Sequence, residues 1–173
     1  EILGRDISQK QILLYLNDSK TQTIIAQQNW DGHILDATGD YLQVVDCNLA
    51  SLKSDPVVNR TINYQVVKQN DDYIARVEIV YEHTGQFDWK TTRYRTYTRV
   101  YVPQGSQLIS SSGSIANDRS TKEGEIEQSE EFEKTYFGAF IAIEPKQTSS
   151  LIFEYKLPDY IKEQIGDNKY TLS

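Results

Sequence analysis

Between Arg93 and Tyr101 the chain reads RYRTYTRVY, three arginines and three tyrosines in one short run. Guanidinium forks and phenols at this density can grip anions or offer an aromatic surface to a sugar or peptide. Side chains alternate between faces along a strand, so 91–102 sorts into two sets. Thr92, Tyr94, Thr96, Thr98, Val100 and Val102 form the face expected to be buried; Arg93, Arg95, Tyr97, Arg99 and Tyr101 form the outer one. The preceding run 73–83 sorts the same way, with Val77, Ile79, Tyr81 and His83 opposed to Arg76, Glu78, Val80 and Glu82. A hairpin joining the two runs across TGQFDWK would set Glu82 opposite Arg95, Glu78 opposite Arg99 and Val77 opposite Val100. Cross-strand ion pairs of this kind contribute roughly 0.2–1 kcal/mol each. They account for two arginines and leave Arg93, Tyr97 and Tyr101 as candidate ligand-binding residues.

Two tryptophans in turn-like surroundings join that set: Trp30 in QQNWDG and Trp89 in GQFDWK. An indole face with polar neighbours suits stacking on a pyranose, whereas its commoner use is to plug the open end of a β-sandwich. Catalytic chemistry finds less support. His33 and His83 stand far apart, outside any HxxxH, HxxE or HxH arrangement. PQGSQL carries Leu108 where a nucleophile elbow needs its second glycine, and no phosphate-binding or dinucleotide glycine loop is present. An enzyme would have to draw its carboxylates from Asp36, Asp40, Asp46 or Asp55, with His83 as a partner. The expectation is a non-enzymatic protein without cofactor or metal.

Segment 117–134 holds seven acids against three bases. Such runs are expected to be solvated loops. A calcium site would need oxygen ligands in an alternating Asp/Asn pattern around a glycine, which this segment lacks.

The elements that must position these groups are mostly strands. Strand patterns cover 10–16, 41–49, 59–69, 73–83, 91–102, 106–112, 134–145 and 150–157, with a further one at KYTLS. Turn chemistry separates them, and NDS at 17–19 supplies a cap for a short helix over KTQTIIAQQNW. This spacing predicts a mainly β fold, an antiparallel β-sandwich of immunoglobulin-like type with one short N-terminal helix. Residues 1–35 read as a strand and helix ending a preceding region, and 36–173 as the sandwich domain.

The 173 residues suffice for one domain that buries roughly 70% of its unfolded surface. With 25 acids, 18 bases and a net charge of −7, general affinity for nucleic acid or an anionic membrane is not expected, and binding any polyanion would need a local basic patch. Cys47 is the single cysteine, so no intrachain disulfide is possible, and YLQVVDCNLA suggests a thiol acting as a small hydrophobe. The chain opens at EILGRDISQ and contains no Met, which reads as a piece of a longer protein.

Taken together, DGH, GDYLQVVDCNLASLKSDPVVNRTINYQV, ARVEIVYEHTG, TTRYRTYTRVYVPQGSQL, FGAFIAIEP and FEYKLP resemble the C-terminal region of the bacterial family grouped as domain of unknown function 4012. The resemblance runs from about residue 9 to 157. It implies a membrane-anchored protein whose extracytoplasmic portion contains this chain, in the cell envelope, with the anchor in a preceding region. It implies no chemistry. The expected role is therefore a structural or adhesive binding module for a cell-surface glycan or an envelope protein. An envelope enzyme acting on glycopolymers and a homo-oligomerisation module, pairing through Tyr97 and Tyr101, are the alternatives.

Overall fold

The computed structural model describes residues 2–8, 12–34 and 36–173. The chain forms two compact units, Glu1–Asp36 and Ala37–Ser173. The first contains helices α1 (Ile2–Ser8) and α2 (Ser19–Gln27). Asp18 caps α2 through a carboxylate that accepts the Thr21 N–H at 2.9 Å and the Thr21 hydroxyl at 2.6 Å. One orphan N–H of the first turn is thereby satisfied. The strand expected over 10–16 is absent from 12–16, where Leu14 N–H bonds back to the Trp30 carbonyl at 2.9 Å; residues 10 and 11 lie outside the described residues.

The second unit is mainly β, two antiparallel four-stranded sheets packed face to face. Its strands are β1 (Gln43–Asn48), β2 (Val58–Gln69), β3 (Asp72–His83), β4 (Tyr94–Pro103), β5 (Gln107–Ser112), β6 (Glu127–Glu131), β7 (Lys134–Ile143) and β8 (Thr148–Lys156), and helix α3 (Asp159–Gly166) follows. One sheet runs β1-β4-β7-β6 and the other β2-β3-β8-β5. The first has the order of the A-B-E-D sheet of an immunoglobulin domain. In the second, β5 and β8 stand where C and F do, and the position of G is filled by β3, which comes early in the chain.

Alternation supplies the core. Val77, Ile79 and Tyr81 of β3, Val100 and Val102 of β4, Phe137, Ala139 and Ile141 of β7, and Leu151, Phe153 and Tyr155 of β8 are all buried between the sheets. Phe137 stacks on Phe153 with centroids 5.8 Å apart. The face assignment read for β3 and β4 holds, but the hairpin between them does not form. β3 has β2 and β8 on its two edges, and β4 has β1 and β7. The chain at 84–93 crosses from sheet to sheet, so the two inward sets meet across the core: Tyr81 and Tyr94 rings lie 6.2 Å apart, and the Tyr81 and Thr98 hydroxyls 2.9 Å. A buried face looks the same in sequence whether its partner is beside it or opposite.

Two elements depart from the sequence reading. Segment 117–134 contains β6, bonded to β7, and so is not a solvated loop throughout. The stretch after 157 forms α3, whose Ile161 and Ile165, one turn apart, face the core. KYTLS contributes a single parallel bridge, Leu172 to Asp40, with Asp40 N to Thr171 O at 2.8 Å, Ser173 N to Asp40 O at 3.0 Å and Leu42 N to Ser173 O at 3.0 Å. Gly39 permits this approach, since a Cβ there would lie 2.2 Å from Thr171 Oγ1.

Candidate functional site

The outer face of the first sheet carries the predicted strip and the partners the structure gives it. Arg93 is largely buried, with Nε on Glu144 Oε1 at 2.6 Å and Nη1 on Asp118 Oδ1 at 2.9 Å. Arg95 faces Asp118 at 3.7 Å and donates to the Ala50 carbonyl. Arg99 pairs with Glu131 at 3.0 Å and lies 4.5 Å above the Tyr136 ring. The Tyr101 hydroxyl donates to the same Glu131, and Tyr101 is only 5% exposed. The carboxylates that satisfy this strip therefore come from the acidic segment and from Glu144, not from Glu78 and Glu82 of β3. Arg93 and Tyr101 are engaged inside the fold; of the three predicted strand residues, only Tyr97 stands at an open surface.

Tyr97 reaches across β7 because of Gly138. The register sets Arg99 and Glu127 on either side of that glycine, and a Cβ there would sit 2.4 Å from the Tyr97 hydroxyl oxygen. Through this gap Tyr97 donates to Glu127 at 2.5 Å, and Tyr136 donates to the other Glu127 oxygen at 2.6 Å. Burial and the Glu127 carboxylate push the Tyr97 phenol up to about 12, so it remains a donor at neutral pH. The bonds from Tyr136 and Tyr97 hold Glu127 below the usual carboxylate range.

Above this layer, segment 113–126 folds over as a flap. Ile115 N–H bonds to Phe140 O at 2.9 Å, Ala116 N–H to Lys122 O at 3.0 Å, and Ser114 Oγ to Gly124 O at 3.0 Å. Asp118, at the flap's turn, is the residue held by Arg93 and Arg95. Between flap and sheet lies a groove of about 640 Å³ lined by Tyr97, Phe140 and Glu127 of the sheet and by Ile115, Ala116, Glu123, Glu125 and Ile126 of the flap. Arg93, expected to bind a ligand, and Arg95, expected to pair with Glu82, thus both hold the flap through Asp118. Phe140, Glu123 and Glu125 were missed in sequence. Their one legible signal was Gly138 inside a strand, a mark of close approach.

The remaining candidates lie elsewhere. Trp89 is 81% exposed in the 84–93 crossing and plugs nothing; the Lys90 ammonium lies 4.7 Å over its ring. Trp30 belongs to the first unit, where it follows α2 half-buried. Cys47 faces outward beside Tyr97 and is exposed, contrary to the small-hydrophobe reading, because alternation turns Asp46 inward. His83 is buried, accepts the Gly85 N–H at Nδ1 and donates from Nε2 to Thr92 O at 2.8 Å. Both ring nitrogens serve the crossing.

Of the four aspartates, Asp36 closes the first unit, and Asp40 sits apart in a buried cluster. The Asp40 carboxylate accepts hydroxyls from Tyr64 and Tyr170, each at 2.6 Å, and the Tyr41 N–H at 2.8 Å. Burial nevertheless raises its pKa above the ordinary value. Asp46 and Asp55 share a cleft of about 230 Å³ with Arg60, Tyr81 and Tyr94. There Asp46 accepts from Tyr81 and Thr98, both at 2.7 Å, and pairs with Arg60 at 2.6 Å. Among the described residues no group of three His, Cys, Asp or Glu is placed to hold a metal ion, and no helix is long and apolar enough to cross a membrane.

Compared with protein-family models, with curated proteins and with solved structures, the chain matches none of them.

Proposed function

We propose that the chain is a non-enzymatic glycan-binding β-sandwich module, displayed outside the cell by a membrane-anchored bacterial protein. The observation that carries the binding reading is the groove lined by the Tyr97 and Phe140 rings and by the carboxylates of Glu123, Glu125 and Glu127. Its volume falls within the roughly 300–1,000 Å³ of small-ligand sites. Ring faces accept the C–H faces of a pyranose, and carboxylates accept its hydroxyls in charge-assisted hydrogen bonds. The same carboxylates repel uronic, sulfated or phosphorylated sugars, so the groove favours neutral and amino glycans. The extracytoplasmic placement rests on the sequence resemblance.

A glycan array probed with this chain tests the reading. Neutral or amino glycans are expected to be retained and acidic ones not, and Phe140→Ala is expected to weaken retention about tenfold, the worth of one aromatic contact. An array silent for the unmodified chain overturns glycan binding. If a pull-down from envelope extract is also empty, a spacer role is what remains.

The shared cleft of Asp46 and Asp55 favours a second reading, an enzyme acting on envelope glycopolymers. It requires turnover of such a polymer by the chain that Asp55→Asn abolishes.

A further inference from the structure

The end of the sandwich formed by 49–57, 84–93 and 144–147 carries an apolar tip that the groove does not use. Trp89, Phe87 and Leu52 are 81%, 63% and 56% exposed, and Leu49 is exposed beside them. They are held together rather than scattered. Leu52 bridges to Thr91, and Lys53 N–H bonds to Lys90 O at 2.9 Å, so the two loops form one projection. Soluble surfaces seldom group large apolar side chains in this way without an interaction to account for it.

Among the exposed charged groups around the tip, lysines outnumber carboxylates, three against Asp55 and Asp88. Lys53, Lys90 and Lys146 are exposed there, with Lys90 folded over the Trp89 ring at 4.7 Å and Lys146 Nζ on Thr84 O at 2.6 Å. Two nearby carboxylates, Asp55 and Asp88, are exposed but tied into the loops, and two more are paired with arginine. Asp88 accepts the N–H groups of Lys90 and Thr91, each at 2.7 Å; Asp55 accepts from Asn48 at 2.6 Å; and Glu144 and Asp118 pair with Arg93. In a chain of net charge −7, this end presents lysines and aromatic rings outward.

We infer that the tip formed by Leu52, Phe87 and Trp89 inserts into the interfacial layer of an anionic lipid bilayer. The indole of Trp89 has the amphipathic character that settles at headgroup depth. Phe87 and Leu52 supply apolar area for the acyl boundary, and the three lysines meet anionic headgroups. A soluble protein partner would be served by the apolar residues alone; the excess of lysines over the exposed Asp55 and Asp88 is the feature that selects a negatively charged surface.

Co-sedimentation with vesicles of mixed phosphatidylcholine and phosphatidylglycerol, against phosphatidylcholine alone, tests this, with tryptophan emission recorded in parallel. The chain is expected to sediment with the anionic vesicles, less so as salt rises, and brominated lipid is expected to quench its emission. Trp89→Phe should remove the quenched component and leave only that of Trp30. The double variants Phe87→Ser with Trp89→Ser, and Lys53→Glu with Lys90→Glu, are each expected to partition about tenfold more weakly, while far-UV spectra and melting stay those of the parent. Absence of sedimentation, or partitioning that both variants leave unchanged, overturns the inference. So does capture of a soluble protein through the tip by a chain with no affinity for vesicles.

Discussion

Asp40 shows most directly what a residue's surroundings do to its chemistry. It is fully buried, and three donors bond to its carboxylate, yet burial outweighs them and its pKa rises above the ordinary 3.8. An acid with a raised folded-state pKa binds more protons folded than unfolded between the two values, so its contribution to stability is full below about 3.8 and is lost as pH rises through the folded value. Asp40→Asn removes that dependence. Urea midpoints of the two proteins are expected to converge or cross as pH rises from about 4 towards neutrality, the aspartate form losing ground; a difference constant with pH would refute this. None of this was legible in sequence. Asp40 stood among four interchangeable aspartates in GDY, QVVDCN and the like, and its partners Tyr64 and Tyr170 are remote in the chain. Arg93 misled for the same reason, since its attraction as a ligand-binding group ends with Glu144 and Asp118.

At the scale of elements, alternation was readable and pairing was not. The inward set of β4 and the inward set of β3 were both assigned correctly, because each strand's pattern is local. Which strand lies beside which depends on the 84–93 crossing, and His83, Gly85 and Thr92 shape that crossing by bonds no periodicity reports. The acidic run illustrates the converse error: composition suggested a solvated loop, while Glu127 and Glu131 had the outer face of β4 waiting for them two strands away. Gly138 makes that reach possible, and its replacement tests it. Gly138→Ala places a methyl group against the Tyr97 ring end, at 2.4 Å from the hydroxyl oxygen. Overpacking costs about 1–3 kcal/mol, and the reduced freedom of the unfolded chain returns about 0.4–1, so a net loss of about 1 kcal/mol is expected. A lowered urea midpoint together with a Tyr97 resonance shifted in the NMR spectrum would meet the expectation; a variant as stable as its parent, with Tyr97 undisturbed, would refute the role given to the glycine.

In the sandwich unit as a whole, tip, groove and joined end segments occupy separate places. The register of β1 against β4 puts the lysine and tryptophan tip at one end and residues 39–42 and 171–173 at the other, with the groove on the face between. The sandwich class was legible from strand spacing, whereas the strand order was not: β6 lay hidden in the acidic run, and β3 takes the place of a final strand because an early hairpin and a late strand carry the same pattern. The parallel contact of 40–42 with 171–173 has a mechanical consequence. A pull on Ala37 and Ser173 draws these two segments past each other along their length, so the hydrogen bonds Asp40 N to Thr171 O, Ser173 N to Asp40 O and Leu42 N to Ser173 O are loaded together instead of one after another. The Tyr170 hydroxyl on Asp40 adds a side-chain latch to the same contact. Single-molecule stretching between these residues is expected to give one high-force rupture, lowered in Tyr170→Phe, since forced unfolding follows the unfolding barrier and the latch must break to cross it. The unit would then carry tension through its joined ends while its tip and groove stay folded and available.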